Sequence, residues 1–66
     1  MFAERLKELR LEKGLTQLQL AEALKVDRTT VMQWERNANE TSFTMLVKIA
    51  RFFDVTCDYL VGNTDY

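Results

Sequence analysis

Five hydrogen-bonding side chains fall on the outer side of a short predicted helix in the middle of the chain. They are Arg28, Thr29, Thr30, Gln33 and Arg36. Side chains of these types donate hydrogen bonds to the edges of nucleic-acid bases and to phosphate oxygens. Val31 and Trp34 lie three residues apart on the other side, so we expect them to anchor the helix in the core. The pattern therefore predicts a helix that presents a polar recognition surface.

The composition offers few side chains suited to catalysis or metal binding. The chain has no histidine, so the commonest general base and the commonest neutral metal ligand are both missing. Glu4, Glu8 and Glu12 repeat every four residues, which is typical of a solvated helix face rather than of paired catalytic carboxylates. The single cysteine, Cys57, lies beside Leu60 and is expected to be a small buried residue. We expect no enzyme activity, no cofactor and no metal.

Length and charge limit the partners. The chain has 66 residues, which predicts one domain over residues 1–66. No apolar run approaches the roughly 18 residues of a membrane span, and no signal peptide is evident, so we expect a cytoplasmic protein. A net charge of −1 counts against DNA binding, because phosphate neutralisation drives affinity. Residues 1–36, however, carry seven basic and six acidic groups, which allows a moderately basic face.

The elements that must position these side chains are helices. Apolar residues recur at intervals of three and four, which predicts an all-α domain. Five helices are expected, at about residues 2–13, 17–24 and 28–36, then one capped by Thr41 or Ser42, and a short one capped by Thr56 and ended by Gly62. Gly14 is expected to end the first helix, and Thr16 with Gln19 to form a capping box.

The second and third predicted helices form a helix-turn-helix. Ala21 is small enough to let the two helices approach closely, and Val26 fills the turn between them. Glu35 is expected to pair with a neighbouring helix rather than to meet a ligand. The outer polar surface is thereby placed on the second helix of the motif.

These features resemble the Cro and lambda-repressor-type helix-turn-helix domains, also called the XRE family. The matching segments are RLKELRLEKGLTQLQLAEAL, VDRTTVMQWER, LVKIARFFDV and DYLVG, which cover essentially residues 2–64. Their order and spacing are specific in combination, although each alone is weak. The resemblance implies a compact five-helix, lambda-repressor-like fold whose third helix lies in the DNA major groove.

The resemblance also implies which side chains meet DNA. Gln17 opens the second helix at the position of a phosphate contact in the family. The residues implied to face base edges are Arg28, Thr29 and Gln33. Those implied to face the sugar-phosphate backbone or nearby bases are Thr30 and Arg36.

Two departures from the family pattern affect loops. Lys25 stands where the family usually has glycine, so we expect a strained left-handed residue whose ammonium group lies near a phosphate. The usual glycine and proline are also missing from residues 37–42, where backbone amides in the family often meet phosphate.

The sequence thus predicts a regulator of transcription, expected to be a repressor, that binds duplex DNA sequence-specifically. A two-fold homodimer is expected, because one small module buries too little DNA for high specificity. The apolar residues expected to join the two copies are Phe52, Tyr59, Val61 and Tyr66. The alternatives are a protein-binding module, such as an antitoxin or an adaptor, and the DNA-binding segment of a longer regulator.

Overall fold

The computed structural model describes residues 2–36 and 41–64, and its regular structure there is helical. The helices are α1 Phe2–Glu12, α2 Gln17–Leu24, α3 Arg28–Arg36, α4 Phe43–Phe53 and α5 Cys57–Val61. The predicted all-α, five-helix architecture is confirmed, and only α1 ends one residue earlier than expected. The loop residues 37–40 and the terminal residue Tyr66, for which the sequence made predictions, lie outside the described residues.

Hydroxyl side chains begin three of the helices. The Thr16 hydroxyl accepts from the amide of Gln19 at 3.0 Å, and the Gln19 side chain accepts from the amide of Thr16 at 2.8 Å, which completes the predicted capping box. Ser42, rather than Thr41, caps α4 by accepting from the Met45 amide. The predicted cap at Thr56 begins α5. These bonds satisfy amides that have no partner within their own helix.

Left-handed residues end four of the helices. Gly14 and Gly62 have φ of 72° and 87°, as the sequence predicted, and Lys25 has φ of 61°. Asp54 also ends α4 in this conformation, with φ of 58°, although nothing in the sequence singled it out. The amide after each of them bonds back to a carbonyl five residues earlier, as from Val26 to Ala21 at 2.9 Å. This is the Schellman ending, in which the left-handed residue turns the chain sharply away from the helix.

The core lies where all five helices meet. Within residues 2–36 and 41–64, its buried apolar residues are Phe2, Leu6, Leu9, Leu20, Ala21, Leu24, Val31, Trp34, Ile49, Ala50, Phe53 and Leu60. The rings of Phe2 and Trp34 meet edge to face, with centroids 6.5 Å apart, which ties α1 to α3. Cys57 packs against this cluster, as a small structural residue would, but stays partly exposed, so its expected burial is only partial. The first residue of a five-residue helix at the edge of the core is too peripheral for full burial.

The length and polarity of the helices also show whether any of them could span a membrane. Over residues 2–36 and 41–64, none of the helices combines the length and the apolar character that crossing a bilayer requires.

Candidate functional site

Helix α3 is held by its inner side and exposed on its outer side. Val31 and Trp34 are 0% and 3% exposed, as their spacing predicted. Arg28, Thr29, Gln33 and Arg36 are exposed, and Thr30 is partly buried at the side of the helix. The polar side chains are therefore presented on a helix whose position is set by the core beneath it.

A groove joins this outer face to the start of α2 and to α1. Its lining includes four of the predicted site residues, which are Gln17, Thr29, Gln33 and Arg36. Lys7, Met32 and Glu35 complete the lining. The structure thus brings the residue at the start of α2 together with three residues of α3 that lie 12 or more positions away in the chain.

Lys7 and Met32 were missed by the sequence reasoning. Lys7 lies off the buried Phe2 and Leu6 face of α1, but its position in the chain does not say which neighbouring helix it meets. Met32 is an apolar residue on a polar face, and this mismatch was a signal that could have singled it out.

Gln17 is already engaged inside the protein. Its side-chain amide donates to the Glu35 carboxylate at 3.2 Å. Glu35 in turn accepts two hydrogen bonds from Arg10, whose remaining nitrogen donates to the carbonyl of Leu15 at 2.8 Å. The expectation that Glu35 pairs with a neighbouring helix is confirmed. The network fixes the Gln17 amide beside α3, with its carbonyl oxygen bound by none of these contacts.

Two lysines lie at the C-terminal end of α2, one in the turn that follows it and one that reaches it from α4. Lys25 adopts the left-handed conformation that the sequence predicted, and it is exposed. The Lys48 ammonium group reaches from α4 to donate to the carbonyl of Leu24, the last residue of α2, at 2.7 Å. Both cations lie at the negative end of the α2 dipole, where positive charge is stabilising. Lys48 was not anticipated, because nothing local to α4 indicates which helix it reaches.

Three of the residues expected to join two copies, Phe52, Tyr59 and Val61, are only partly exposed. Phe52 packs against Phe53, with ring centroids 5.0 Å apart, and Lys13 lies over its ring. The guanidinium of Arg5 lies 4.1 Å above the ring of Tyr59. Val61 is also partly buried, and Tyr66 lies outside the described residues. Among the described residues, the most exposed large apolar side chain is instead Phe43, at 75%, at the start of α4.

Comparison with known proteins identifies the motif. The model of the helix-turn-helix family matches residues 6–60, which is most of the chain. The transcriptional activator BcrR of Enterococcus faecalis is 42% identical over 97% of the chain and 31% of its own length. The uncharacterised regulator YobD of Bacillus subtilis is 35% identical over 98% of the chain and 58% of its length. The phage repressor RstR of Vibrio cholerae is 26% identical over 98% of the chain and 59% of its own length.

The chain spans about a third to three fifths of the length of these curated relatives. No solved structure gives a significant match. The family model covers all of α2, the turn and α3, together with the Arg10 and Glu35 pair that holds them. The match to most of the sequence and the geometry of the two helices agree, and the chain belongs to the XRE-type helix-turn-helix family.

Proposed function

We propose that the protein binds duplex DNA sequence-specifically through the major groove and regulates transcription. The observation that carries this proposal is the outer face of α3, whose exposed hydrogen-bonding side chains stand on the buried anchors Val31 and Trp34. An α-helix presented in this way has the width that the major groove of B-DNA admits. Recognition of this kind makes and breaks no covalent bond, so no enzyme activity is proposed.

The proposed contacts fall into two groups. Base edges are met by Arg28, Thr29 and Gln33, which are all exposed. The backbone is met by Gln17, Thr30, Arg36 and Lys25. Arginine can bond guanine with two donors and glutamine can bond adenine, so the first group supplies specificity. The second group sets the register of the protein on the duplex, since phosphates carry no sequence information.

The geometry around Gln17 supports its phosphate role. One of its two side-chain amide hydrogens bonds Glu35, which sets the orientation of the side chain and leaves the second hydrogen to donate to a phosphate oxygen. Such preorganisation lowers the entropy that binding would otherwise cost. The Gln17 backbone amide also belongs to the first turn of α2, where helix amides favour an anion.

We further propose that residues 1–66 form one DNA-binding domain, that it acts as a homodimer, and that it works in the cytoplasm, where bacterial DNA lies. We propose repression rather than activation, because occupying a promoter needs only DNA binding, whereas activation needs a further contact. The names of the relatives include an activator, BcrR, and a repressor, RstR. A reporter gene placed behind the selected site shows directly whether binding lowers or raises transcription.

Selection from a random duplex pool tests the proposal. We expect one sequence family to be enriched and to bind at least about 10³-fold more tightly than a scrambled duplex at the same salt concentration. Arg51→Ala, which removes an exposed cation from α4, serves as a control and should select the same sequence. A pool that shows no enrichment with either protein would contradict sequence-specific binding.

A protein-binding module is the second candidate function, and Phe43 favours it. This side chain shares a shallow groove on α4 with Thr44, Val47, Lys48 and Arg51. An exposed aromatic ring is a typical anchor of protein interfaces. Phe43→Ser should leave the DNA affinity unchanged if this surface serves a protein partner. A large loss of DNA affinity in that variant would assign the surface to DNA instead.

A further inference from the structure

Met32 is an apolar side chain on the polar outer face of α3. It is 39% exposed and lies outside the cluster of buried and partly buried residues that forms the core. It lies three residues after Thr29 and four before Arg36, so the three side chains are neighbours on the helix surface. Packing of the core therefore gives no reason for an apolar residue at this position.

The surroundings of Met32 place it at the proposed DNA interface. It lines the same groove as Gln17, Thr29 and Gln33. These are residues proposed to meet a phosphate and two base edges, and they approach Met32 from both α2 and α3. When the polar residues around Met32 bind DNA, its side chain therefore faces the DNA.

One group in the major groove is apolar. Thymine carries a C5-methyl group there, and apolar side chains recognise it by contact. The thioether of methionine is flexible and polarisable, which suits it to cover a small apolar group. Among the side chains that line the groove with Met32, Gln33 and Arg36 offer hydrogen bonds, and Thr29 offers a single methyl group as the competing apolar partner.

Building on the proposed function, we propose that Met32 reads the C5-methyl group of a thymine in each half-site. The contact removes one methyl group and part of the thioether from water, so it adds both affinity and discrimination. Cytosine lacks this methyl group, and position 32 thereby selects thymine where Arg28 and Gln33 select other bases by hydrogen bonds.

Substitution of deoxyuridine for thymidine tests the proposal, because it deletes only the C5-methyl group. Each thymidine of the selected duplex is replaced singly, and dissociation constants are measured for the full chain and for Met32→Gln. Glutamine is similar in length and helix propensity, and position 32 is exposed, so this variant should keep the fold. Equal thermal midpoints check this. Leu11→Gln, which changes another exposed apolar residue on α1, is the matched control.

We expect one thymidine per half-site at which deoxyuridine weakens binding of the parent protein about fourfold, the factor for burying one methyl group. In Met32→Gln that loss should disappear, whereas Leu11→Gln should keep it. The same deoxyuridine profile in the parent and in Met32→Gln would overturn the inference while leaving sequence-specific binding intact. Loss of the effect only in Thr29→Ser, which deletes the threonine methyl group, would assign the contact to Thr29 and also overturn it.

Discussion

The Arg10 guanidinium and the Glu35 carboxylate join α1 to α3 through two hydrogen bonds. Arg10 Nε donates to Glu35 Oε2 at 2.6 Å, and Arg10 Nη2 donates to Glu35 Oε1 at 3.1 Å. The two side chains are only 10% and 5% exposed. Gln17 adds a third bond to the same carboxylate, which brings the start of α2 into the arrangement. This pair therefore sets where the outer face of α3 stands relative to the residue proposed to hold a phosphate.

Removing one partner of the Arg10 and Glu35 pair should strongly destabilise the fold. We expect Glu35→Ala to lower the free energy of unfolding by about 3–5 kcal/mol, because the buried guanidinium is left without its carboxylate. Urea denaturation measures the change. Glu8→Ala, an exposed glutamate on α1, should stay within about 0.5 kcal/mol of the parent. A Glu35→Ala protein as stable as the parent would show that the pair is not a structural link.

Arg28 and Gln33 should discriminate between sequences. We expect Arg28→Ala and Gln33→Ala each to cost about 1–3 kcal/mol on the selected duplex and less on random DNA. Fluorescence anisotropy at one salt concentration compares the two duplexes. Arg51→Ala should change neither affinity, since it removes a cation from a different helix. Equal losses on selected and random DNA would make both residues phosphate contacts.

The selected site should be a palindrome. Two copies of α3 related by a two-fold axis meet the same face of the duplex about 34 Å apart, or one helical turn. Footprinting gives the half-site spacing, and sedimentation of the complex gives the number of protein chains. A single unrepeated half-site bound by one chain would contradict the proposed dimer.

Lys25 should lower the stability of the fold and raise its affinity for DNA. Its left-handed conformation costs a residue with a Cβ about 1–2 kcal/mol. We expect Lys25→Gly to raise the melting temperature, because the relief of strain exceeds the added chain entropy. If the ammonium group meets a phosphate, the same change weakens DNA binding and reduces the salt slope by about one unit.

Asp54 provides the matched control for Lys25. It ends α4 in the same left-handed conformation, with φ of 58°. Asp54→Gly should therefore also raise the melting temperature while leaving the salt slope of DNA binding unchanged. A Lys25→Gly protein that melts below the parent would contradict the strain argument. Equal DNA affinity and salt slope in the two glycine variants would remove Lys25 from the interface.

The sequence by itself determined most helix ends and the orientation of α3. Thr16 and Thr56 were predicted as caps because their partners lie three residues away, so the whole interaction is encoded within one turn. The inward side of α3 followed from the spacing of Val31 and Trp34. Asp54 was missed although it ends its helix as Lys25 does, because an aspartate does not by itself mark a left-handed helix end and only the family resemblance singled out Lys25.

The tertiary structure alone decided which residues surround the outer face of α3. Arg10 and Glu35 are 25 residues apart, and Lys48 and Leu24 are 24 apart, so their contacts depend on how the helices cross. The same packing brings Lys7 and Met32 into the groove beside Gln17. A helical period tells which side of a helix is buried, but not which neighbour meets the other side. That information exists only once the core has set the angles between the helices.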